Sequence, residues 1–308
     1  MLTVLPSFVP IWALAAVGFL ARRTGVLDAR AGQALTAFVF TFAAPSLVFS
    51  TLATSSPRGV FQPAVAGFVV TSVITLLAGG LVSWLWWQRR GGEQVLTGMA
   101  GGYVNAGNLG IPVAVQVLGN TEFIIAVILL QTVLLTPLCL LLVEYSSGRA
   151  GRGLLPMLRA PFRNPIVVGS LAGLVVLLSG VQLPEVVLRP VEMLGRAAVP
   201  AGLFVLGMAL YRGVGSGNEP SRPGEIVTVT VMKLLVQPAI AVAVGTVLGV
   251  SGPALLALVL CSGLPTAQNV FVYSHHFRLV SSFVRDTVFV TTLLSMGTLA
   301  CITWLFGP

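Results

Sequence analysis

Long apolar runs separated by short polar connections make up almost the whole chain. Ten runs approach the ~20 residues a helix needs to cross hydrocarbon: 4–21, 33–53, 62–87, 93–118, 121–145, 164–181, 190–211, 225–249, 253–276 and 283–305. They predict an all-α membrane protein of ten transmembrane helices. The longest connection, from about 146 to 163, is rich in arginine and glycine. It leaves no room for a soluble catalytic domain. Met1-Leu2-Thr3-Val4-Leu5-Pro6 has no basic n-region, so the first run is expected to be a retained span.

Composition agrees. Hydrophobic residues are 56% of the chain, charged residues 8%, and mean hydropathy is +0.97. A soluble domain carries roughly 25% charged residues. A surface with so few charges is one that lipid covers, so membrane lipid is the expected surroundings. The net charge of +8 does not indicate nucleic acid, because the basic residues form short clusters between apolar runs. Counted in alternate connections, Arg22, Arg23, Arg30, Arg89, Arg90, Arg149, Arg152, Arg159, Arg163, Arg212, Arg222, Arg278 and Arg285 fall on one side. Only Arg58 and Arg189 fall on the other. The bias puts the first set in the cytoplasm and both termini outside it. Cys139, Cys261 and Cys301 lie inside apolar runs without metal-binding spacing. They are expected to be buried apolar side chains, and no cofactor is expected.

The chain also matches itself. Pro10-Ile11, Gly18 and Gly25 recur 155 residues later as Pro165-Ile166, Gly173 and Gly180. AAPSLVF (43–49) recurs as AVPAGLF (198–204), and GIPVAVQV (110–117) as GLPTAQNV (263–270) at a slightly shorter offset. Five spans per repeat is odd, so the second half enters the membrane from the opposite side. The expected organisation is two inverted five-helix repeats, 1–150 and 164–308, joined by a basic cytoplasmic linker, 151–163. Inverted repeats are a transporter signature.

The candidate chemistry lies in the fourth and ninth runs. Residues 101–112, GGYVNAGNLGIP, combine four glycines, two asparagines and Pro112. Glycines weaken a helix, and proline removes a donor and clashes with the preceding turn. The ninth run carries GLPTAQN at 263–269. Both runs are expected to break mid-membrane and to cross there. Freed backbone groups are tolerated in hydrocarbon only against protein, water or substrate. Half-helix N-termini favour an anion. The expected substrate-binding residues are Asn105, Gly107, Asn108, Gly110, Pro112, Pro265, Gln268 and Asn269, with Lys233. The amides also have a plainer reading, as caps of the broken helices. Lys233 lies about eight residues into its run, ~12 Å deep at 1.5 Å per residue. Thr230, Lys233 and Gln237 share a helical face. An intramembrane cation marks function by default; it could neutralise an anion or replace a coupling ion, or simply tie to carbonyls of a broken helix. Every carboxylate sits near a run end or in a connection, which disfavours a buried carboxylate relay. His275-His276 reads as an interfacial pair or a pH-responsive one. Arg285-Asp286 reads as an end-of-helix ion pair or solvated cap.

NAGNLGIP resembles the asparagine-glycine-proline signature of the auxin efflux carrier family of bacteria and plants. NPIVVGSLAGL, PAGLFVLGMAL, KLLVQP and GLPTAQNVFVY extend the resemblance over nearly the whole chain. It implies the fold of bile-acid/sodium symporters and sodium/proton antiporters, with helices 4 and 9 broken and crossing. It implies a scaffold of helices 1, 2, 6 and 7 and a transport unit of helices 3–5 and 8–10. Pro112 and Pro265 match the crossover prolines. The resemblance implies a bacterial inner membrane, a small organic anion such as auxin, malonate or malate as partner, and a homodimer as in some members. The third run lacks the acidic residue of some relatives, which leaves the coupling ion open. A carrier is therefore expected. A sodium-coupled symporter or an anion channel is the alternative, and an intramembrane enzyme is disfavoured because no nucleophile–base pair, metal motif or paired acid is present.

Overall fold

The computed structural model describes residues 5–54, 62–146, 165–211 and 222–307. The 151–163 linker lies outside the described residues, as do the side chains of His275 and His276. The described residues are helical, apart from connections and one isolated antiparallel bridge between Val104 and Thr266. The helices are α1 (Leu5–Arg23), α2 (Ala29–Thr54), α3 (Pro63–Trp87), α4 (Gly92–Gly102), α5 (Ala106–Leu118), α6 (122–146), α7 (Pro165–Ser179), α8 (Glu185–Arg196), α9 (Ala198–Leu210), α10 (Pro223–Val247), α11 (Gly252–Ser262), α12 (Gln268–Phe277) and α13 (Ser281–Phe306). Five helical stretches among the described residues are long and apolar enough to cross a membrane: Ala29–Thr54, Pro63–Trp87, Glu185–Met208, Pro223–Val247 and Ser282–Phe306.

Their faces are inverted relative to a soluble protein. On α3, Thr71, Ser72, Thr75, Gly79 and Ser83 are buried, while Val73, Leu77, Leu81 and Trp84 are exposed. On α13, Thr287, Thr291, Thr292 and Ser295 are buried and Leu293 and Leu294 are exposed. Small and polar residues let helices approach closely, and the large apolar ones suit a hydrocarbon solvent. Cys139 and Cys261 are buried as expected, but Cys301 is exposed. It lines an apolar surface cavity with Leu294 and Leu305, on the outward face of α13.

Proline shapes the helices more than it ends them. Wide i→i+5 turns occur at Val39–Ala43, Ala106–Gly110, Leu130–Leu135 and Met232–Val236. Each ends two residues before a proline: Pro45, Pro112, Pro137 and Pro238. A proline gives no N–H to the carbonyl four residues back and crowds it, so the preceding ladder widens. A fifth wide turn, Ala114–Leu118, has no such proline.

By mutual packing the helices fall into two compact units. In the first, built from 5–54, 107–133 and 165–211, α1 packs on α9, and α7 and α8 pack on α2. A side-chain carbon on Gly18 would lie 2.0 Å from the Phe204 carbonyl oxygen, and one on Gly173 would lie 2.8 Å from the Phe49 carbonyl oxygen. Only glycine permits such backbone contact. Gly25 and Gly180, after the ends of α1 and α7, have φ of +78° and +67°, where glycine meets no Cβ penalty. The second unit is built from 63–106, 134–146 and 222–307. There α3 packs on α4, α10 and α11, and α13 packs on α10 and α12.

Candidate functional site

The fourth apolar run is interrupted. Helix α4 ends at Gly102, Tyr103 turns to extended backbone (φ −91°, ψ 116°), and α5 begins at Ala106. The ninth run is interrupted between Ser262 and Gln268. The two interruptions pair with each other. Asn105 N–H donates to the Pro265 carbonyl at 2.8 Å, and Ala267 N–H donates to the Tyr103 carbonyl at 3.1 Å. This exchange satisfies backbone groups that no helix uses, as a buried break requires.

Neighbouring helices hold the pairing in place. Thr266 Oγ1 donates to the Ala100 carbonyl at 2.6 Å, and its N–H donates to Thr291 Oγ1 of α13 at 3.2 Å. Tyr103 and Thr136 share a hydroxyl–hydroxyl bond of 2.6 Å. Gly102 lets α4 press on α3, since a side-chain carbon there would lie 2.9 Å from the Leu76 nitrogen.

Beneath the pairing lies Lys233, with none of its surface exposed. Its ammonium donates to the Ser262 carbonyl at 3.0 Å and to Gln237 Oε1. Gln237, also fully buried, donates from Nε2 to the Gly102 carbonyl at 3.0 Å. One i,i+4 pair on α10 therefore serves the last carbonyls of both α4 and α11. Those carbonyls lack intrahelical partners and carry the negative end of each helix dipole. Of the readings open for Lys233, the structure displays the tie to a broken-helix carbonyl. The hydroxyls of Thr230 and Ser262 are buried without a partner among the described residues.

The expected site residues divide. Asn105, Pro265, Gln268, Asn269 and Lys233 belong to one compact unit, where Asn105 is buried, Gln268 half-buried and Asn269 exposed on the first turn of α12. Gly107, Asn108, Gly110 and Pro112 belong to the other, where Asn108 is half-buried and Gly110 and Pro112 are buried. Pro112 corrects an expectation. It is not at the crossing: the helical chain runs from Ala106 through it to Leu118. The break falls at Tyr103–Asn105, so Val104 and not Pro112 stands opposite the Pro265 region. Pro112 lies mid-way along α5, and the wide turn at Ala106–Gly110 accommodates its missing donor.

The sequence pattern described as membrane transport protein matches residues 3–151 and 154–303. The chain belongs to this family, the auxin efflux carrier type of membrane transporter. An uncharacterised transporter of Methanothermobacter thermautotrophicus is 27% identical over 304 residues, covering 94% of each chain. A protein of Rhizobium meliloti, provisionally named as a malonate transporter, is 26% identical over 313 residues, covering 96% of this chain and 93% of its own. The uncharacterised transporter YfdV of Escherichia coli is 21% identical over 297 residues, covering 93% of this chain and 92% of its own. This auxin efflux carrier-type chain is thus a multi-pass membrane transporter.

One feature of the transporter was not read from its sequence. Arg89, in the connection between α3 and α4, donates to Glu225 Oε2 at 2.6 Å and to Thr97 Oγ1 at 3.0 Å. Its guanidinium lies 4.4 Å from the Phe283 ring centre and 5.3 Å from that of Trp87. Burial lowers the Arg89 pKa, and the charge of Glu225 acts against that. Glu225 had read as a helix-end acid; only the fold places Arg89 against it, 136 residues away. Arg285 and Asp286 do form an ion pair, at 2.9 Å.

Proposed function

We propose that this transporter carries small organic anions, auxin-like monocarboxylates or malonate- and malate-type dicarboxylates, by alternating access at the helix crossing. The observation that carries the reading is the reciprocal pairing of Asn105 with Pro265 and of Ala267 with Tyr103. It sets Asn105 beside the Pro265–Ala267 segment that leads into α12, and amide donors at a helix N-terminus favour negative charge. Asn105, Gln268 and Asn269 orient the carboxylate, and Asn108 follows three residues along the chain from Asn105. Lys233, tied to the Ser262 carbonyl, brings a basic side chain to the break.

The reading includes ten spans in two inverted five-helix repeats. Gly18 against Phe204 and Gly173 against Phe49 are the same contact displaced by 155 residues, with the roles of the halves exchanged, and this supports the repeat. The grouping of α1, α2, α7, α8 and α9 in one compact unit supports a scaffold of spans 1, 2, 6 and 7. The name of the Rhizobium meliloti relative supports a dicarboxylate. A sodium-coupled symporter is the second reading, since carbonyls at helix C-termini are also what a coupling cation uses.

The test is uptake of radiolabelled malonate, malate and indole-3-acetate into proteoliposomes of the full chain. Saturable uptake of at least one is expected, and Asn108→Ala is expected to abolish it while the protein stays folded. No flux for any carboxylate would remove the substrate class; undiminished flux in Asn108→Ala would remove that residue from the site.

A further inference from the structure

We propose that a cleft in the first compact unit binds the headgroup of a phosphatidylethanolamine lipid. The cleft lies where α1 ends, α2 begins and α9 ends, and all of its walls belong to that one unit. Its volume is about 140 Å³, and Arg22, Asp28, Gln33 and Thr36 line it together with Val205 and Met208. A side-chain carbon on Gly32 would lie 3.1 Å from Met208 Cε, so Gly32 lets α2 close on α9 at the base. A water needs roughly 10–15 Å³ of such space, so about ten small groups fit. That suits a phosphate with a short amine arm.

Three observations point to a ligand of both charges at the edge of the bilayer. First, Arg22 and Asp28 line the same cleft, yet neither joins an ion pair among the described residues. Asp28 Oδ1 accepts from the Ala31 N–H at 2.8 Å as the cap of α2. Its second oxygen and the donors of Arg22 remain for a bound group. Arginine presents a planar fork that suits phosphate, and a carboxylate accepts from an ammonium. Second, Arg22 is held in place without using those donors. Its guanidinium lies 5.8 Å from the centre of the Tyr211 ring, and Tyr211 meets Phe19 edge-on at 5.8 Å. Tyrosine and arginine near the ends of spanning helices sit at headgroup level. Third, Val17 and Leu20, in the last two turns of α1, are exposed. They give the acyl chains of a lipid seated in the cleft an apolar surface to follow, which a soluble zwitterion would leave unused. An anionic headgroup with no amine would place like charge beside Asp28. Phosphatidylcholine offers a quaternary ammonium with no N–H to donate.

The experiment measures unfolding temperatures of the full chain in three kinds of nanodisc: phosphatidylcholine alone, and with part of it replaced by phosphatidylethanolamine or by phosphatidylglycerol. Phosphatidylethanolamine is expected to raise the temperature by about 2–4 °C over the other two. Native mass spectrometry from an equal mixture of the three lipids is expected to retain phosphatidylethanolamine several-fold over the others. Asp28→Asn keeps a capping oxygen for the Ala31 N–H, so α2 keeps its start. That variant is expected to lose the preference for phosphatidylethanolamine over phosphatidylcholine. Glu185→Gln, at an exposed acid outside the cleft, is expected to keep it. Arg22→Gln is expected to lose lipid retention altogether. Should it fail to fold, the lipid comparison and Asp28→Asn still decide. Equal stabilisation by the three lipids, a preference for phosphatidylglycerol, or an Asp28→Asn protein that still selects phosphatidylethanolamine would overturn the proposal. So would a full shift from free O-phosphoethanolamine added to phosphatidylcholine nanodiscs, which would make the cleft a site for a soluble zwitterion. None of these readouts depends on which anion is carried.

Discussion

The backbone of Phe204 occupies the space that a side chain on Gly18 would need, with only 2.0 Å between the carbonyl oxygen and the first side-chain carbon. Gly173 stands in the same relation to Phe49 at 2.8 Å. Gly18→Ala and Gly173→Ala must each push two helices apart. Each is expected to destabilise the protein by about 1–3 kcal/mol, the usual penalty of overpacking. Gly297 on α13 is the control. Nothing lies within 4 Å of where its side chain would begin, so Gly297→Ala is expected to be neutral or slightly stabilising. Thermal unfolding in detergent reads all three. Equal behaviour of Gly18→Ala and Gly297→Ala would show that close helix approach contributes little.

Gln237 is the hinge of the charge arrangement, because it accepts from Lys233 and donates to Gly102 at the same time. Gln237→Leu keeps much of the volume and removes both bonds. It strips an acceptor from a buried ammonium and a donor from a buried carbonyl. The expected loss is on the order of 3 kcal/mol, since bonds to charged groups are the stronger kind and unpaired buried groups are costly. A double-mutant cycle with Lys233→Met is expected to give a coupling above about 1 kcal/mol. Additive effects would mean that the two side chains act separately.

Much of this arrangement is legible in the sequence because it follows from local chemistry. Gly101-Gly102 and Gly263-Leu264-Pro265 weaken a helix wherever they occur, so both interruptions can be placed to within a few residues. Thr230, Lys233 and Gln237 show their common face by spacing alone. The register of the crossing is not legible. Pro112 and Pro265 look alike in their motifs, yet the chain pairs Val104 with Thr266. A proline marks a missing donor without saying whether the helix ends there or widens before it, and widening is what happens ahead of Pro45, Pro112, Pro137 and Pro238. The Arg89–Glu225 pair is likewise hidden, because nothing local in either segment announces its partner.

That pair joins the α3–α4 connection to the start of α10. The side chains of Arg89 and Glu225 are 12% and 7% exposed, so water screens the contact little. Arg89→Ala leaves Glu225 buried without its main partner and removes the cation from between Trp87 and Phe283. The expected loss is roughly 3 kcal/mol. Arg89→Lys is expected to recover only part of it, because a single ammonium lacks the planar fork that reaches Thr97 and Glu225 together. Full recovery by lysine would show that charge alone matters. Unfolding temperatures of the two variants at equal salt decide between these outcomes.

Pro265 gives the sharpest test of whether the interruption itself is needed. Its carbonyl accepts from Asn105, and it has no N–H of its own to continue α11. Pro265→Ala keeps the carbonyl and restores a donor, so α11 gains a route to propagate towards α12. A proline in a helix interior is about 3 kcal/mol less favourable than alanine, so the substitution moves the balance towards a continuous helix by an amount comparable to a few hydrogen bonds. A continuous helix would withdraw the Pro265 carbonyl from Asn105 and the Ala267 N–H from Tyr103. The expected result is a protein as stable as the original or more so, with greater helical signal in circular dichroism and strongly reduced carboxylate flux. That combination separates a functional break from a folding defect. Undiminished flux with increased helicity would mean that transport does not depend on the paired backbone at the crossing.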